Sequence, residues 1–449
     1  VMACHVVLGF LVLLADASPG NLRRMLLRPQ AVPSTPAAGP TTDELAIKKV
    51  VIVGGSFGGW TVAKKLSGVP ERRASDGSRV KLDVTLIDRA DYFEYTPGVL
   101  RALTQPSVIP MLHSEVGAGT DASVVRGNVE EIQGSKVVLM ELDGADAKTK
   151  REIDFDYCVI ATGSEYSHPI KAAGTGEWTR EERQNVLLEK AWQLGNATDV
   201  AIVGGGIVGV ELAADIIYKY PEKNVKVLDM QNSLLPELPP QCGKYARKWL
   251  EGKGVKVELG APADLSALRD EDYQIFMCVG YKPNGHVYKS EEESPKPDRV
   301  APRGALIVDN MMNVGRQKNV FAVGDVMSHP QPEAKTAYTA DLSGNYVARA
   351  IKALTLDTNA QIKPYPELLT GLDSVPLVTC VSLGAWDGIL VFNNFALPGK
   401  FAALVKWLIF SSKTRQLRGN AACNFAWDVA ESLSFILHRL DRARRKKTS

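Results

Sequence analysis

Residues 49–66 read KVVIVGGSFGGWTVAKKL: an unbroken β-branched run, a glycine-rich turn and then a helical pattern. Residues 199–216, DVAIVGGGIVGVELAADI, repeat the same arrangement 150 residues further along the chain. A single glycine motif of this kind is a weak signal. Two of them, each following a buried strand and each opening a helix, predict two dinucleotide-binding units.

The glycines of the two loops have distinct physical tasks. Gly54 and Gly204 permit the tight turn, and Gly59 and Gly209 let helix and strand pack closely. The exposed amides of the helix N-terminus can then receive a pyrophosphate. We therefore expect each loop to bind the phosphates of a nucleotide.

The two loops differ at the middle position, where the backbone approaches the phosphates. This position is Gly206 in the second loop but Ser56 in the first. Serine is small and can itself donate to a phosphate, so we expect tighter contact rather than lost binding. Gly55 and Gly58 leave the backbone of the first loop free to adopt conformations that other residues disfavour.

Each unit should end its second strand with an acid that binds a ribose. KLDVTLID ends at Asp88, and NVKVLD ends at Asp229. An acid at the second position favours NADH, because it would repel a 2′-phosphate and no Lys or Arg follows within several residues. The alternative for both residues is an ordinary turn residue at the end of a strand.

Composition sets outer limits on the fold and function. The chain has 449 residues, 45% hydrophobic and 23% charged, which indicates a globular protein of two to four domains. No apolar run reaches about 18 residues, which argues against a polytopic membrane protein. The six cysteines form no CxxC or CxxxxC pair, and no Cys/His cluster has zinc spacing. A disulfide scaffold, a dithiol centre and a metal site are therefore not expected.

The first 45 residues have the character of a targeting sequence. An apolar stretch at 6–14 precedes Ala15-Asp16-Ala17, as in a signal peptide, and an arginine-containing, acid-free segment follows, as in a transit peptide. These two segments in succession predict import into an organelle, either a plastid or a mitochondrion, and entry through the secretory pathway is possible. The alternative is a disordered leader.

Three further segments complete the pattern between the loops and beyond them. DFDYCVIATGS is predicted to be a strand that runs into Ala161-Thr162-Gly163, the ATG segment. DYQIFMCVGYKPN is a second such segment and contains Gly280. NVFAVGDV is a third and ends just after Gly324-Asp325, the GD segment. In this order, residues 49–350 resemble the two-dinucleotide-binding-domain flavoproteins of the pyridine nucleotide-disulfide reductase type. Without a redox thiol pair, electrons must pass from the flavin directly to an acceptor.

Within that superfamily the chain looks most like the apoptosis-inducing-factor-like group, which includes the ferroptosis-suppressor quinone reductases. The resemblance rests on VVIVGGSFGG, DRADYFEYTPGVLRAL, GGGIVGVELAADI, PEAKTAYTADLSGNYVARAI and VSLGAWDGIL. Type II NADH dehydrogenases are related, but their AQxAxQ helix is replaced here by AYTAD, without glutamine. The quinone pocket is therefore expected to differ from theirs.

The resemblance implies an α/β fold with two Rossmann-like dinucleotide-binding domains and a C-terminal α+β segment. The implied boundaries are a leader at 1–45, an FAD-binding domain at 46–165 and 285–350, an inserted NAD(P)H-binding domain at 166–284, and a membrane-contact or dimerisation segment at 351–449. FAD would be held by Gly54, Ser56, Gly59, Asp88 and Asp325, and NADH by Gly204, Gly206, Gly209 and Asp229. The remaining implied cofactor contacts are Gly55, Phe57, Gly58, Ala161, Thr162, Gly163, Gly280 and Gly324.

Three residues are predicted to lie near the chemistry. Glu211 follows Gly209 by two positions, where the resembled families place a Glu beside the nicotinamide; its alternative role is helix N-terminal stabilisation. Lys335 precedes a helix whose N-terminus should face the flavin pyrimidine, where a cation would stabilise negative charge. It could also be a surface lysine. Lys413 matches a C-terminal lysine that lies near the flavin in the ferroptosis-suppressor group.

The implied function is an FAD-dependent, non-proton-pumping NAD(P)H dehydrogenase that reduces a membrane quinone. NADH is the expected donor and NADPH a possible one. Two alternatives stay open at this point. The chain could reduce a soluble acceptor such as monodehydroascorbate or an iron–sulfur protein, or it could be a flavin-binding structural subunit that does not turn over.

The C-terminal part of the chain is basic and carries two apolar helical patterns. From Phe395 onwards there are 11 Lys or Arg against 3 Asp or Glu. FAALVKWLIF at 401–410 and NFAWDVAESLSFILHRL at 424–440 precede basic residues, which predicts peripheral contact with an anionic membrane. Alternatively the helices pack on the sheet or form a homodimer or complex interface. Nucleic acid is a poorer fit, because the basic run is short and lacks interleaved aromatics.

Overall fold

The computed structural model describes residues 45–142, 149–172, 176–289 and 303–448. The predicted leader at 1–45 lies outside the described residues except for Leu45. The strands are β1 (Leu45–Val53), β2 (Arg72–Arg73), β3 (Arg79–Asp88), β4 (Tyr92–Glu94), β5 (His113–Glu115), β6 (Ser123–Gln133), β7 (Lys136–Glu141), β8 (Lys150–Asp154), β9 (Tyr157–Ile160), β10 (Ser164–Glu165), β11 (Asp199–Val203), β12 (Asn224–Asp229), β13 (Lys256–Leu259), β14 (Gln274–Met277), β15 (Lys282–Pro283), β16 (Leu306–Ile307), β17 (Val320–Ala322), β18 (Met327–Ser328), β19 (Val378–Leu383), β20 (Asp387–Phe392) and β21 (Phe395–Pro398).

The α-helices of the described residues follow in the same order. They are α1 (Phe57–Leu66), α2 (Val99–Thr104), α3 (Ile109–Leu112), α4 (Arg180–Asn196), α5 (Ile207–Lys219), α6 (Pro240–Glu251), α7 (Leu265–Asp270), α8 (Ala337–Leu356), α9 (Glu367–Thr370), α10 (Lys400–Gln416) and α11 (Ala421–Thr448).

The larger sheet has the first glycine loop at its centre. Its strand order is β17-β9-β1-β3-β6-β7-β8, and β2 pairs with β3 at the side. The pairs from β17 to β6 are parallel, and β7 and β8 add an antiparallel extension. Residues 50–53 of β1 are at most 3% exposed. Both faces of this strand are covered, which explains why its sequence is an unbroken apolar run.

A second, four-stranded parallel sheet carries the second glycine loop. Its order is β13-β12-β11-β14, and β11 leads directly into the loop before α5. The chain thus uses the same strand–loop–helix unit twice, each time on an inner strand that has parallel neighbours on both sides. The predicted α/β class with Rossmann-like units is confirmed, while the domain boundaries stay predictions.

The C-terminal segment combines a three-stranded antiparallel sheet, β19-β20-β21, with helices α9 to α11. Helix α10 lies against this sheet so closely that a Cβ on Gly388 would come within 3.4 Å of the Ala403 nitrogen. Residues of α10 also line the site described next.

Candidate functional site

A cavity of about 1180 Å³ lies between the two glycine-loop units and the C-terminal segment. Pockets that hold one drug-sized ligand usually measure 300–1,000 Å³, so this volume can accommodate a cofactor together with part of a second molecule. Among the residues that the sequence singles out, those that line the cavity are Gly54, Ser56, Phe57, Gly58, Asp88, Ala161, Thr162, Gly163, Glu211, Gly324, Asp325, Lys335 and Lys413.

The first glycine loop forms one wall of the cavity. Gly54 has a φ of 103°, and a Cβ there would lie 2.4 Å from the Ala161 carbonyl oxygen, so only glycine fits. Ser56 is the N-cap of α1, but its side chain makes no capping hydrogen bond. The first turn of α1 therefore keeps amide donors available toward the cavity, as pyrophosphate binding requires. Gly59 packs under the loop, where a Cβ would collide with the Gly54 oxygen.

Asp88 is tied to this loop through its backbone. Its Oδ2 accepts from the Gly55 amide at 2.6 Å and its Oδ1 accepts from the Ala90 amide at 2.8 Å. Burial raises the pKa of Asp88, and the two backbone amides oppose that shift. Each carboxylate oxygen has a further lone pair, so the group can also accept from a ribose hydroxyl. Its predicted ribose role stays a prediction.

The ATG and GD segments are joined to each other and to the rest of the wall. Thr162 and Asn284 exchange hydrogen bonds of 2.8 and 3.1 Å between side chains and carbonyl oxygens. Asp325 accepts from Ser164 Oγ at 2.7 Å and from Lys171 Nζ at 3.2 Å. The carboxylate of the GD turn is thus held by an ion pair with Lys171 that sequence analysis did not predict.

Lys335 lies behind the GD turn. Its Nζ donates to the carbonyl oxygens of Met327 at 2.8 Å and Gly324 at 3.3 Å. Burial lowers its pKa, and Glu333 and Asp325 oppose that shift. Because the ammonium is engaged by backbone carbonyls, its structural effect is to hold the turn that carries Asp325.

Glu211 is 5% exposed and connects α5 to the C-terminal segment. Its Oε1 accepts from the Ser382 amide at 2.7 Å, the Ser382 hydroxyl at 3.0 Å and Lys406 Nζ at 2.8 Å. Lys406 also donates to the Cys380 carbonyl oxygen at 2.9 Å. Burial alone would lower the pKa of Lys406, but the neighbouring carboxylate raises it well above its usual value, so the lysine stays charged.

Lys413 enters the cavity from α10. Its Nζ donates to Asp341 Oδ2 at 2.8 Å and lies 4.2 Å from the ring centroid of Trp427. Thr61 Oγ1 donates to the other oxygen of Asp341 at 2.8 Å. Asp341 thus links the first nucleotide helix, α1, to the C-terminal lysine.

The second glycine loop has the same internal geometry but lies beside the cavity. Gly204, Gly206, Gly209, Asp229 and Gly280 are not among its lining residues. Asp229 accepts from the Gly205 amide through Oδ2 and from the Gln231 amide through Oδ1 at 2.7 Å, as Asp88 does in the first unit. Only the first turns of α5, through Ile207, Val208 and Glu211, reach the cavity.

The N-terminus of α5 differs from that of α1 in one respect that the sequence did not indicate. Glu237, in the loop after β12, accepts from the Ile207 amide at 3.1 Å through Oε1. A carboxylate therefore lies where a pyrophosphate would bind.

A buried charge network supports the cavity wall formed by residues 92–97. The Arg183 side chain is fully buried and donates to Glu94 at 2.6 and 3.2 Å, to Glu177 at 2.9 Å and to the Pro169 carbonyl at 2.8 Å. His113 contacts the same Glu94 carboxylate at 3.2 Å. Burial would raise the pKa of Glu94, but His113 and Arg183 together lower it.

Apolar side chains are exposed on the two C-terminal helices, where sequence analysis placed membrane contact. The large ones are Leu404, Trp407, Phe425, Ile436 and Leu440. Between Leu45 and Thr448, in the ranges that the structure describes, no helix is long and apolar enough to span a bilayer. Membrane contact stays a prediction.

Comparison with known proteins agrees with this architecture. A family model described as pyridine nucleotide-disulphide oxidoreductase matches residues 48–344. Apoptosis-inducing factor homolog B of Dictyostelium discoideum is 28% identical over 389 residues, covering 79% of this chain and 92% of the relative. Ferroptosis suppressor protein 1 of Xenopus laevis is 26% identical, covering 82% and 94%. The sulfide:quinone oxidoreductase structure from Aquifex aeolicus has a TM-score of 0.63 at 16% identity, covering 86% and 95%.

Proposed function

The chain belongs to the pyridine nucleotide-disulphide oxidoreductase family, and we propose that it is an FAD-dependent NAD(P)H:quinone oxidoreductase. One observation carries this proposal. The first glycine loop, through Gly54 and Ser56, and the first turns of the second nucleotide helix, through Val208 and Glu211, line the same cavity. Two nucleotides bound at the two loops could therefore bring their redox-active rings together in this cavity, as direct electron transfer between them requires.

The residues present fit FAD at the first loop. Gly54, which has no side chain, and the uncapped N-terminus of α1 would hold the diphosphate of FAD, and the half-buried Asp88 would hold a ribose. Bound there, FAD would supply the chemistry of two-electron transfer from a nicotinamide nucleotide to an acceptor. Asp325, fixed by Ser164 and Lys171, would bind the middle of the cofactor.

The cavity wall formed by the C-terminal segment is apolar, which suits an apolar acceptor. Val378, Leu390, Phe392, Leu408 and Ile409, all from the C-terminal segment, line it. The name of the Aquifex aeolicus enzyme states that it acts on a quinone. The balanced reaction would be NADH, a proton and a quinone giving NAD⁺ and a quinol. The exposed apolar residues on α10 and α11 would bring the cavity to the membrane surface where such quinones dissolve.

The test is anaerobic addition of NADH to the purified flavin-loaded chain, followed by a short-chain quinone. We expect the visible flavin band to bleach and then to recover promptly. Bleaching without recovery would overturn the quinone assignment and favour a soluble acceptor. Absence of bleaching by NADH and NADPH would overturn the enzymatic proposal and favour a structural subunit.

Asp229→Ser is expected to relax the preference for NADH over NADPH. The carboxylate would repel a 2′-phosphate, and its loss should lower the KM for NADPH by roughly tenfold, or about 1.4 kcal/mol. Steady-state kinetics with both nucleotides measures this ratio. A wild-type chain that prefers NADPH would contradict the assignment. Glu222→Gln, an exposed change two positions before β12, serves as the matched control.

Glu237→Gln is expected to lower the KM for both nucleotides by a few-fold, leaving their ratio unchanged. The wild-type carboxylate competes with the incoming pyrophosphate for the α5 amides, and a charge at a helix N-terminus is worth about 0.3–1 kcal/mol. Glutamine keeps the size but removes the charge. An unchanged or higher KM in the variant would show that Glu237 does not compete with the nucleotide.

A further inference from the structure

The residues just before α4 form part of one end of the cavity, and this inference rests on the proposed binding of FAD there. Their backbone is fixed to the loop that follows β3. The Asp91 amide donates to the Trp178 carbonyl oxygen at 3.0 Å, and the Tyr92 hydroxyl donates to the Glu177 carbonyl oxygen at 2.9 Å. The Arg180 amide donates to Asp91 Oδ1 at 2.8 Å. These contacts hold the segment before α4 directly beside the end of β3.

Trp178 lies close to Asp88, the carboxylate predicted to bind a ribose. Strand β6 runs parallel to β3 with Arg126 opposite Asp88, and Arg126 Nη2 donates to the Trp178 carbonyl oxygen at 3.3 Å. Residues 127–129 of β6 continue past the end of β3 and line the cavity, as Trp178 does. We name residues 127–129 and Trp178 together the distal end of the cavity. Since Asp88 also accepts from the Gly55 amide at 2.6 Å, it connects the first glycine loop to this distal end.

The indole of Trp178 carries a hydrogen-bond donor that is not used. Its Nε1 atom is buried and has no hydrogen-bond partner among the residues that the structure describes. An indole N–H can only donate, and a buried donor left unpaired is costly, so such groups in folded proteins usually have a partner. Because Trp178 lines the cavity, a molecule bound in the cavity can supply the missing acceptor.

The parts of FAD can be assigned along this cavity in order. The first glycine loop would take the diphosphate and Asp88 a ribose, while the flavin would lie where the first turns of α5 reach the cavity, near Glu211. The adenine is then left for the distal end. Adenine is planar and has ring nitrogens that accept hydrogen bonds, and aromatic side chains stack on the faces of such bases.

We propose that Trp178 binds the adenine of FAD, with the indole N–H donating to a ring nitrogen of the base. Trp178 is thereby a specificity-determining residue of the first nucleotide site, because FMN has no base to accept this hydrogen bond. The site selects a purine dinucleotide through a side chain that lies 90 residues after Asp88 in the chain.

Trp178→Phe tests the proposal, because phenylalanine keeps an aromatic ring but has no donor. Full-length chains loaded with FAD or with FMN are diluted, and the released flavin is followed by its fluorescence. We expect the dissociation constant of FAD to rise roughly tenfold and that of FMN to stay unchanged. Trp192→Phe is the matched control and should alter neither constant, since this tryptophan of α4 is 70% exposed and does not line the cavity.

A second readout observes the hydrogen bond in the FAD-loaded wild-type chain by nuclear magnetic resonance. With isotope-labelled indoles, the resonance that is missing from Trp178→Phe belongs to the Trp178 N–H, and Trp178→Tyr identifies it if the phenylalanine variant does not fold. We expect this proton to resonate downfield of the exposed Trp192 N–H, which the control variant identifies. A buried N–H without an acceptor would resonate upfield.

An unchanged FAD dissociation constant in Trp178→Phe would overturn the proposal. So would equal weakening of FAD and FMN, which would indicate a general disturbance of the cavity, or an upfield position of the Trp178 resonance. Failure of the FAD proposal itself is distinguishable, because the wild-type chain would then retain no flavin.

Discussion

Lys406→Met is expected to lower the free energy of unfolding by about 3–5 kcal/mol and to remove most NADH-dependent flavin reduction. The Glu211 carboxylate would lose its only cationic hydrogen-bond partner among the described residues, while Ser382 alone would remain. An uncompensated buried charge is strongly destabilising, because neither water nor a counter-ion replaces the lost partner. Glu211 lies on the second nucleotide helix, α5, and lines the cavity, so its displacement should also slow flavin reduction.

Urea unfolding and stopped-flow bleaching measure the two effects separately. The double variant Lys406→Met with Glu211→Gln should recover much of the lost stability, because both charges are gone, but not the rate of flavin reduction. Lys136→Met, which breaks an exposed ion pair with Glu152, is the control and should leave stability nearly unchanged. If Lys406→Met were as stable as the wild-type chain, the Glu211–Lys406 pair would not be the interaction that joins α5 to the C-terminal segment.

Arg183→Met is expected to be comparably destabilising, by about 3–5 kcal/mol, and to weaken flavin retention. The variant would leave the buried Glu94 and Glu177 carboxylates without the guanidinium that bridges them. Residues 92–97 above this network line the cavity, so their displacement should speed flavin loss on dilution. The measurements are urea unfolding and fluorescence of released flavin.

The same network predicts a dependence of stability on pH with a definite sign. The pKa of Glu94 is lowered in the folded chain, so its contribution is fully present above its unfolded pKa and is lost as pH falls through the folded one. Acidification should therefore destabilise the wild-type chain more than Arg183→Met. Arg247→Met, which removes an exposed pair with Glu251, should leave the pH profile unchanged. An identical acid profile in Arg183→Met would contradict the assignment.

The parts of the site that the sequence predicts are those formed within one strand–loop–helix unit. Gly54 and Gly204 could be assigned because the tight turn, its positive φ and the following helix are all encoded within a few residues. The ATG and GD segments also follow buried strands. Each of these signals is local, which is why the two dinucleotide-binding units could be predicted from motif and spacing, while the complete fold class followed from the family resemblance.

The interactions that the sequence did not predict join distant parts of the chain. Glu211 and Lys406 are 195 residues apart, and nothing near either residue points to the other. One signal was present, since Lys406 interrupts the apolar run FAALVKWLIF, and a lone cation in such a helix needs a buried partner. Arg183 carried no comparable signal, because it lies among ordinary polar residues. Glu237 lies in a stretch of leucines and prolines, and nothing near it points to the start of α5.

The polar contacts between α11 and α1 have a consequence for biosynthesis. Lys64 and Lys65 bind Asn424 and Asp428, partners that leave the ribosome about 360 residues later. Since domains fold in the order of their synthesis, the nucleotide-binding units can form while the cavity still lacks its last wall. A nascent chain that takes up flavin at that stage would expose it to dissolved oxygen. Completion of the final helix then adds the last wall of the cavity.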